Sequence, residues 1–165
     1  MNAPVSKSAV DKKIRKASEL HRAGKLQEAA KLYRQVLQME PDHAGAMLLL
    51  AMVAEATGQK DEALSLAIRS LQIRPDNPTG INFLGNLLKS QGRYDDAIEI
   101  FVGGLESFPA NYEILNNLGL TLEAAGRYEE AEEVYKRVIA LKPDQFAPYN
   151  NLGNVYRKLR RLRES

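Results

Sequence analysis

The sequence has no cysteine and no tryptophan among its 165 residues. Without thiols there can be no disulfide, no thiolate nucleophile and no thiolate metal ligand, so redox chemistry is excluded and a reducing compartment fits. Histidine is nearly absent too: His21 and His43 are the only two, and neither has a carboxylate or a second His at metal-ligand spacing. No Gly-rich loop joins a strand to a helix to cradle a phosphate, because Gly103-Gly104 falls inside a helical pattern. We therefore expect no catalytic residue, no cofactor and no metal. Neither sign of charge dominates, with 23 Lys and Arg against 21 Asp and Glu, so nothing points to nucleic acid or an acidic membrane as partner. The start, Met1 to Lys16, is basic at Lys7, Lys12, Lys13, Arg15 and Lys16 but lacks a signal-peptide apolar run, and no membrane-length apolar stretch follows. These absences read as a cytoplasmic protein, and 44% hydrophobic with 27% charged is a folded composition.

What the sequence does have is a period. Pro41, Pro75, Pro109 and Pro143 lie 34 residues apart, and so do Gly24, Gly58, Gly92 and Gly126, and Ala29, Ala63, Ala97 and Ala131. Three residue types in one register, at constant offsets from one another, identify an array of repeats. Each unit reads as two helices. Ile81, Leu84, Gly85 and Leu88, then Leu115, Leu118, Gly119 and Leu122, follow the i, i+3, i+4, i+7 spacing of a buried face. Gly92 and Gly126 come just past that helix, where a left-handed cap suits Gly. The acids of Asp95-Asp96 and Glu129-Glu130 then sit at the positive start of a second helix, where the macrodipole accounts for them, as for Glu132-Glu133. Ala97, Ile98, Phe101 and Ala131, Val134, Tyr135, Val138 form its apolar face, and Pro109 or Pro143 prevents it from running on. Gly85, Gly119, Ala97 and Ala131 are placed where the two helices of a hairpin approach most closely. Gly103-Gly104 costs its helix about 1 kcal/mol per Gly relative to Ala, so it marks either a close helix contact or a soft point.

Tyr149-x-x-Leu152-Gly153-x-x-Tyr156, together with Ala29-x-x-x-Tyr33, Ala97-x-x-x-Phe101 and Ala131-x-x-x-Tyr135, resembles the tetratricopeptide repeat pattern over roughly residues 10–165. The resemblance implies an all-α, right-handed superhelical solenoid of antiparallel helix pairs, with units of about 10–43, 44–77, 78–111 and 112–145, a partial fifth at 146–165 and a flexible start at 1–9. Departures are present. Met47, Ile81, Leu115 and Tyr149 stand at the leading aromatic position, and the first unit has Lys16-Ala17 in place of Leu-Gly, which makes its first helix a candidate for an irregular, solvated cap. In the fifth unit, Arg160 to Ser165 align with Gly126 to Ala131, so the chain ends where a second helix should begin. A cut boundary is the preferred expectation, and a basic final helix acting as the polar cap of the array is the alternative.

Family resemblance places a binding groove along the first helices. One position after each core residue runs a stripe comprising Ile14, Ser18, His21; Leu48, Met52, Glu55; Asn82, Asn86, Lys89; Asn116, Leu120, Glu123; and Asn150, Asn154, Arg157. Asn82, Asn116 and Asn150 recur at the strict 34-residue interval. An Asn amide both donates and accepts, so it can pair with a peptide backbone whatever the side chains. Asn117 and Asn151 extend the set, which resembles the Asn ladders of O-linked N-acetylglucosamine transferases; bonding between adjacent units is the other reading of these Asn. The candidate peptide-binding residues are thus Leu48, Met52, Asn82, Asn86, Lys89, Asn116, Asn117, Leu120, Asn150, Asn151, Asn154 and Arg157. Ile14, Leu48 and Asn82 stand where a clamp for a peptide's terminal carboxylate would want a basic residue, so that use of the fold is not expected.

The expected function is an interaction scaffold binding a protein or peptide. Two alternatives remain. Leu20-His21-Arg22-Ala23-Gly24 and Leu32-Tyr33-Arg34-Gln35-Val36-Leu37 resemble the opening of bacterial repeat proteins that continue into glycosyltransferase or sulfotransferase domains, which would make the segment a docking arm. Residues 44–145 carry 9 basic against 15 acidic residues while 146–165 carry 5 against one, a polarity that could drive head-to-tail homo-oligomers. Solvated surface explains that polarity as well, and it explains the basic run from Arg157 to Arg163 better than a phosphate contact does.

Overall fold

The computed structural model describes residues 7–164 and contains only helices among them. The helices are α1 (Lys7–Arg22), α2 (Leu26–Met39), α3 (Ala44–Ala56), α4 (Lys60–Ile73), α5 (Pro78–Ser90), α6 (Tyr94–Ser107), α7 (Tyr112–Ala124), α8 (Tyr128–Leu141) and α9 (Phe146–Glu164). Two compact units divide the chain after Gly80. Of the start read as flexible at 1–9, residues 1–6 lie outside the described residues, while residues 7–9 belong to α1.

Turns this short force the paired helices antiparallel, and one backbone device makes all four. Gly24, Gly58, Gly92 and Gly126 have φ between 74° and 80°. At Gly126 the left-handed backbone lets its N–H donate to Glu123 O at 3.1 Å and the Arg127 N–H to Leu122 O at 2.9 Å, the two bonds that close a Schellman cap. A side chain at that φ would cost about 1–2 kcal/mol, so the Gly ladder marks the turns. Second helices end two residues before their prolines: α2, α4, α6 and α8 stop at Met39, Ile73, Ser107 and Leu141. First helices are capped by side chains where a suitable one exists. The Ala46 N–H donates to His43 Nδ1 and the Ile114 N–H to Asn111 Oδ1, each at 3.0 Å, so His43 serves as a cap.

In the first unit, Ala17, Ala29, Ala30, Tyr33, Leu50 and Val53 form one buried cluster, and Val10, Val36 and Ala46 another. The first helix is thus a regular, packed element and no solvated irregular cap: Val10 and Ala17 are buried, and the small Ala17 does the work of the missing Leu-Gly. Ser70, fully buried, satisfies its hydroxyl by donating to Ala44 O at 2.9 Å.

The second unit is organised by glycine against aromatic rings. A Cβ added at Gly85 would come within 2.3 Å of Phe101 Cζ, and one at Gly119 within 2.7 Å of Tyr135 Cε1. The ambiguity at Gly103-Gly104 resolves residue by residue. Gly104 is buried, and its Cβ would meet Ile81 Cγ2 at 2.7 Å, whereas Gly103 is exposed with nothing within 4 Å. The last helix corrects the expectation of a break at Arg160. It runs unbroken to Glu164 because Arg160 replaces the turn glycine, and Arg160 instead pairs with Glu164 one turn on at 2.8 Å.

Gly85→Ala should lower the unfolding free energy by about 1–3 kcal/mol through overpacking, while Gly103→Ala should raise it by about 0.5–1 kcal/mol through helix propensity alone. Denaturant melts of the two variants would show opposite shifts, and a Phe101→Leu background should relieve the first and leave the second unchanged.

Candidate functional site

Three helices of the second unit carry most of the stripe. On α5, Asn82, Asn86 and Lys89 are half-buried; on α7, so are Asn116, Asn117, Leu120 and Glu123; on α9, Asn151 and Asn154 are half-buried while Asn150 and Arg157 are exposed. In the first unit Met52 is half-buried, but Leu48 is only 6% exposed and belongs to the core. Helix α3 is apolar nearly all round, so its stripe position is covered where the polar equivalents on α5 and α7 are not.

Asn117 Nδ2 donates to Asn82 Oδ1 at 2.8 Å, tying α7 to α5 side by side. This is the bond between adjacent repeats that stood as the alternative role of the Asn ladder, and it engages both Asn117 and Asn82. It leaves the Asn82 Nδ2 donor and the Asn116 Oδ1 acceptor buried without a hydrogen-bond partner. Further along, the Tyr135 hydroxyl reaches Glu123 Oε2 at 3.3 Å, and Asn151 hydrogen-bonds the same phenol. Burial, then the charge of Glu123, pushes the Tyr135 phenol well above its ordinary pKa. Glu123, Asn154, Arg157 and Lys158 line one concavity, in which an Arg157 guanidinium N–H donates to Asn154 Oδ1. Burial also lowers the Lys89 pKa.

The first unit repeats part of this scheme. Tyr33, fully buried, brings its hydroxyl within 3.2 Å of the Ser18 hydroxyl, and the His21 ring meets Tyr33 edge-on at 6.5 Å. Burial raises the Tyr33 pKa, against the opposing effects of Ser18 and Arg22. Tyr33 and Tyr135 were read from the sequence as pattern aromatics only, and the hydroxyl contacts to Ser18 and Glu123 were missed. Their signal was present, since an aromatic facing Ala17 or Gly119 has room to pass its hydroxyl to the other side of the first helix. A second concavity, lined by Ile98, Val102, Leu118, Leu122 and Val134 with Arg127, Glu129, Glu130 and Glu133 at its rim, also lay outside the expected stripe.

Two models described as tetratricopeptide repeat match the sequence, one over residues 20–87 and the other over 84–146. The chain belongs to the tetratricopeptide repeat family. Among solved structures, a crystal structure of MamA is similar over 90% of this chain and 81% of its own, with a TM-score of 0.83 at 18% identity. A MamA structure labelled MSR-1 matches over 92% and 87%, with a TM-score of 0.75 at 25% identity. PilF of Pseudomonas aeruginosa matches over 93% and 70%, with a TM-score of 0.80 at 22% identity. No curated protein sequence matches the chain. These likenesses show an all-α solenoid of tetratricopeptide helix pairs, and membership of the tetratricopeptide repeat family supports a protein-protein interaction scaffold in general terms. Among the described residues, no group of three or more His, Asp or Glu could hold a metal, and no helix is long and apolar enough to cross a membrane.

The raised Tyr135 and Tyr33 pKa values set the direction of an alkaline effect. The fold favours the neutral phenol, so this stabilisation is complete below the unfolded-state value near 10 and is lost as pH climbs through the higher folded value. Chemical stability should therefore fall above about pH 10. In an ultraviolet phenolate titration, Tyr33→Phe and Tyr135→Phe should each delete one late-ionising component.

Proposed function

We propose that the chain is a non-catalytic scaffold that holds an extended segment of a partner polypeptide along α5, α7 and α9, with Asn82, Asn116 and Asn150 pairing to its backbone. One observation carries this reading: half-buried Asn82 and Asn116 stand one repeat apart on α5 and α7, which the Asn117 to Asn82 bond holds side by side, and exposed Asn150 repeats the interval on α9. An amide on such a face can donate to a peptide C=O or accept from a peptide N–H whatever the partner's side chains. Asn117 and Asn151 act behind them, the first holding the Asn82 amide and the second the Tyr135 phenol. Asn86, Leu120 and Asn154 line the same face between the backbone contacts. The lack of cysteine supports a cytoplasmic setting.

Opposite effects on stability and binding test this. Asn116→Ala removes an unsatisfied acceptor and improves helix propensity, so its thermal stability should equal or exceed the parent's by up to about 1 kcal/mol. The triple variant Asn82→Ala, Asn116→Ala, Asn150→Ala should keep the helical circular dichroism spectrum yet lose the polypeptide captured by the parent chain from native lysate. An unchanged set of captured polypeptides would sink the proposal, and a large loss of stability in Asn116→Ala would make that residue a structural one.

A further inference from the structure

Two turns along from the Asn row on α5, α7 and α9 stands a second row, Lys89, Glu123 and Arg157, again 34 residues apart. Its signs alternate. Helix stability does not explain the pattern, because the C-terminal end of a helix favours a cation and disfavours an anion. Lys89 suits the last turn of α5, but Glu123 lies in the last turn of α7, which has no basic residue. Pairing does not explain it either. None of the three forms an ion pair among the described residues, although many charges on the second helices and their caps do: Arg93 with Asp96, Arg127 with Asp95 and Glu130, and Lys136 with Glu132 and Glu133. Lys89 and Glu123 are moreover half-buried, and neither closes an ion pair; the Tyr135 hydroxyl is the hydrogen-bond partner of Glu123. Glu123 and Arg157 line the same concavity.

We propose that the second unit selects its partner by charge register, accepting an extended segment with an acid opposite Lys89, a base opposite Glu123 and an acid opposite Arg157. The inference rests on the groove reading above and names the chemistry of its occupant. Spacing follows from geometry. The Asn117 to Asn82 bond shows α5 and α7 side by side, neighbouring helices lie about 8–10 Å apart, and an extended chain in the polyproline II conformation advances about 3.1 Å per residue and returns to the same face every third residue. The complementary charges therefore fall roughly three residues apart along the segment, with the intervening peptide units facing the Asn row.

Four end-blocked, fluorescent peptides of about nine residues on a Ser/Val background test the register against the full chain by anisotropy. They carry Glu-Lys-Glu, Lys-Glu-Lys or Glu-Glu-Glu at the first, fourth and seventh positions, or two Glu and one Lys placed side by side. The Glu-Lys-Glu peptide should bind about tenfold more tightly than the inverted one, with the preference shrinking as salt screens it. Glu123→Lys should move the preference to Glu-Glu-Glu, and Lys89→Glu should favour a base at the first position, with circular dichroism confirming that both variants fold. Equal binding of all four peptides that is still weakened by Asn82→Ala and Asn116→Ala would overturn the register and leave the groove reading standing. Absence of binding, or binding indifferent to the Asn substitutions, would overturn both.

Discussion

Close approach of the two helices within a hairpin is the constraint on which the other features depend. In the second unit an aromatic ring on the second helix lies directly over a glycine on the first, Phe101 over Gly85 and Tyr135 over Gly119, at separations that leave no room for a Cβ. Dispersion across so tight a contact falls steeply with any gap, so the interlock sets helix spacing as well as burying the rings. The first unit keeps the theme with Ala17 and the fully buried Tyr33 in one cluster.

That interlock also joins the core to the candidate site. Because Gly119 has no side chain, the Tyr135 ring can pass beneath α7 and deliver its hydroxyl to Glu123, with Asn151 on the same phenol. A residue whose ring belongs to the core thus orients polar groups on the exposed face of α7 and α9. Ser18, brought against the Tyr33 hydroxyl in the first unit, shows the same construction with a smaller polar partner.

Electrostatics divide the two kinds of helix. Arg93, Arg127 and Lys136 are matched to acids within a turn or on the neighbouring hairpin, mostly in exposed pairs that solvent screens. The first helices keep their polar groups less completely matched: Asn82 and Asn116 each retain a buried amide atom without a partner, and Lys89 loses solvation.

The sequence alone determined the period, the helix pairs, the turns and the ends of the second helices, because those features rest on local backbone chemistry. Glycine at a left-handed cap and proline beyond a helix act within a few residues of themselves and do not need a fold to be read. Tertiary structure decided what depends on neighbours from another helix: that Leu48 is covered while Asn82 is not, that Gly104 touches Ile81 while Gly103 faces outward, and that Asn117 bonds Asn82 and leaves Asn116 unpaired. Periodicity assigns a residue to a face of its helix, but the burial and hydrogen bonding of that face belong to the helix packed beside it.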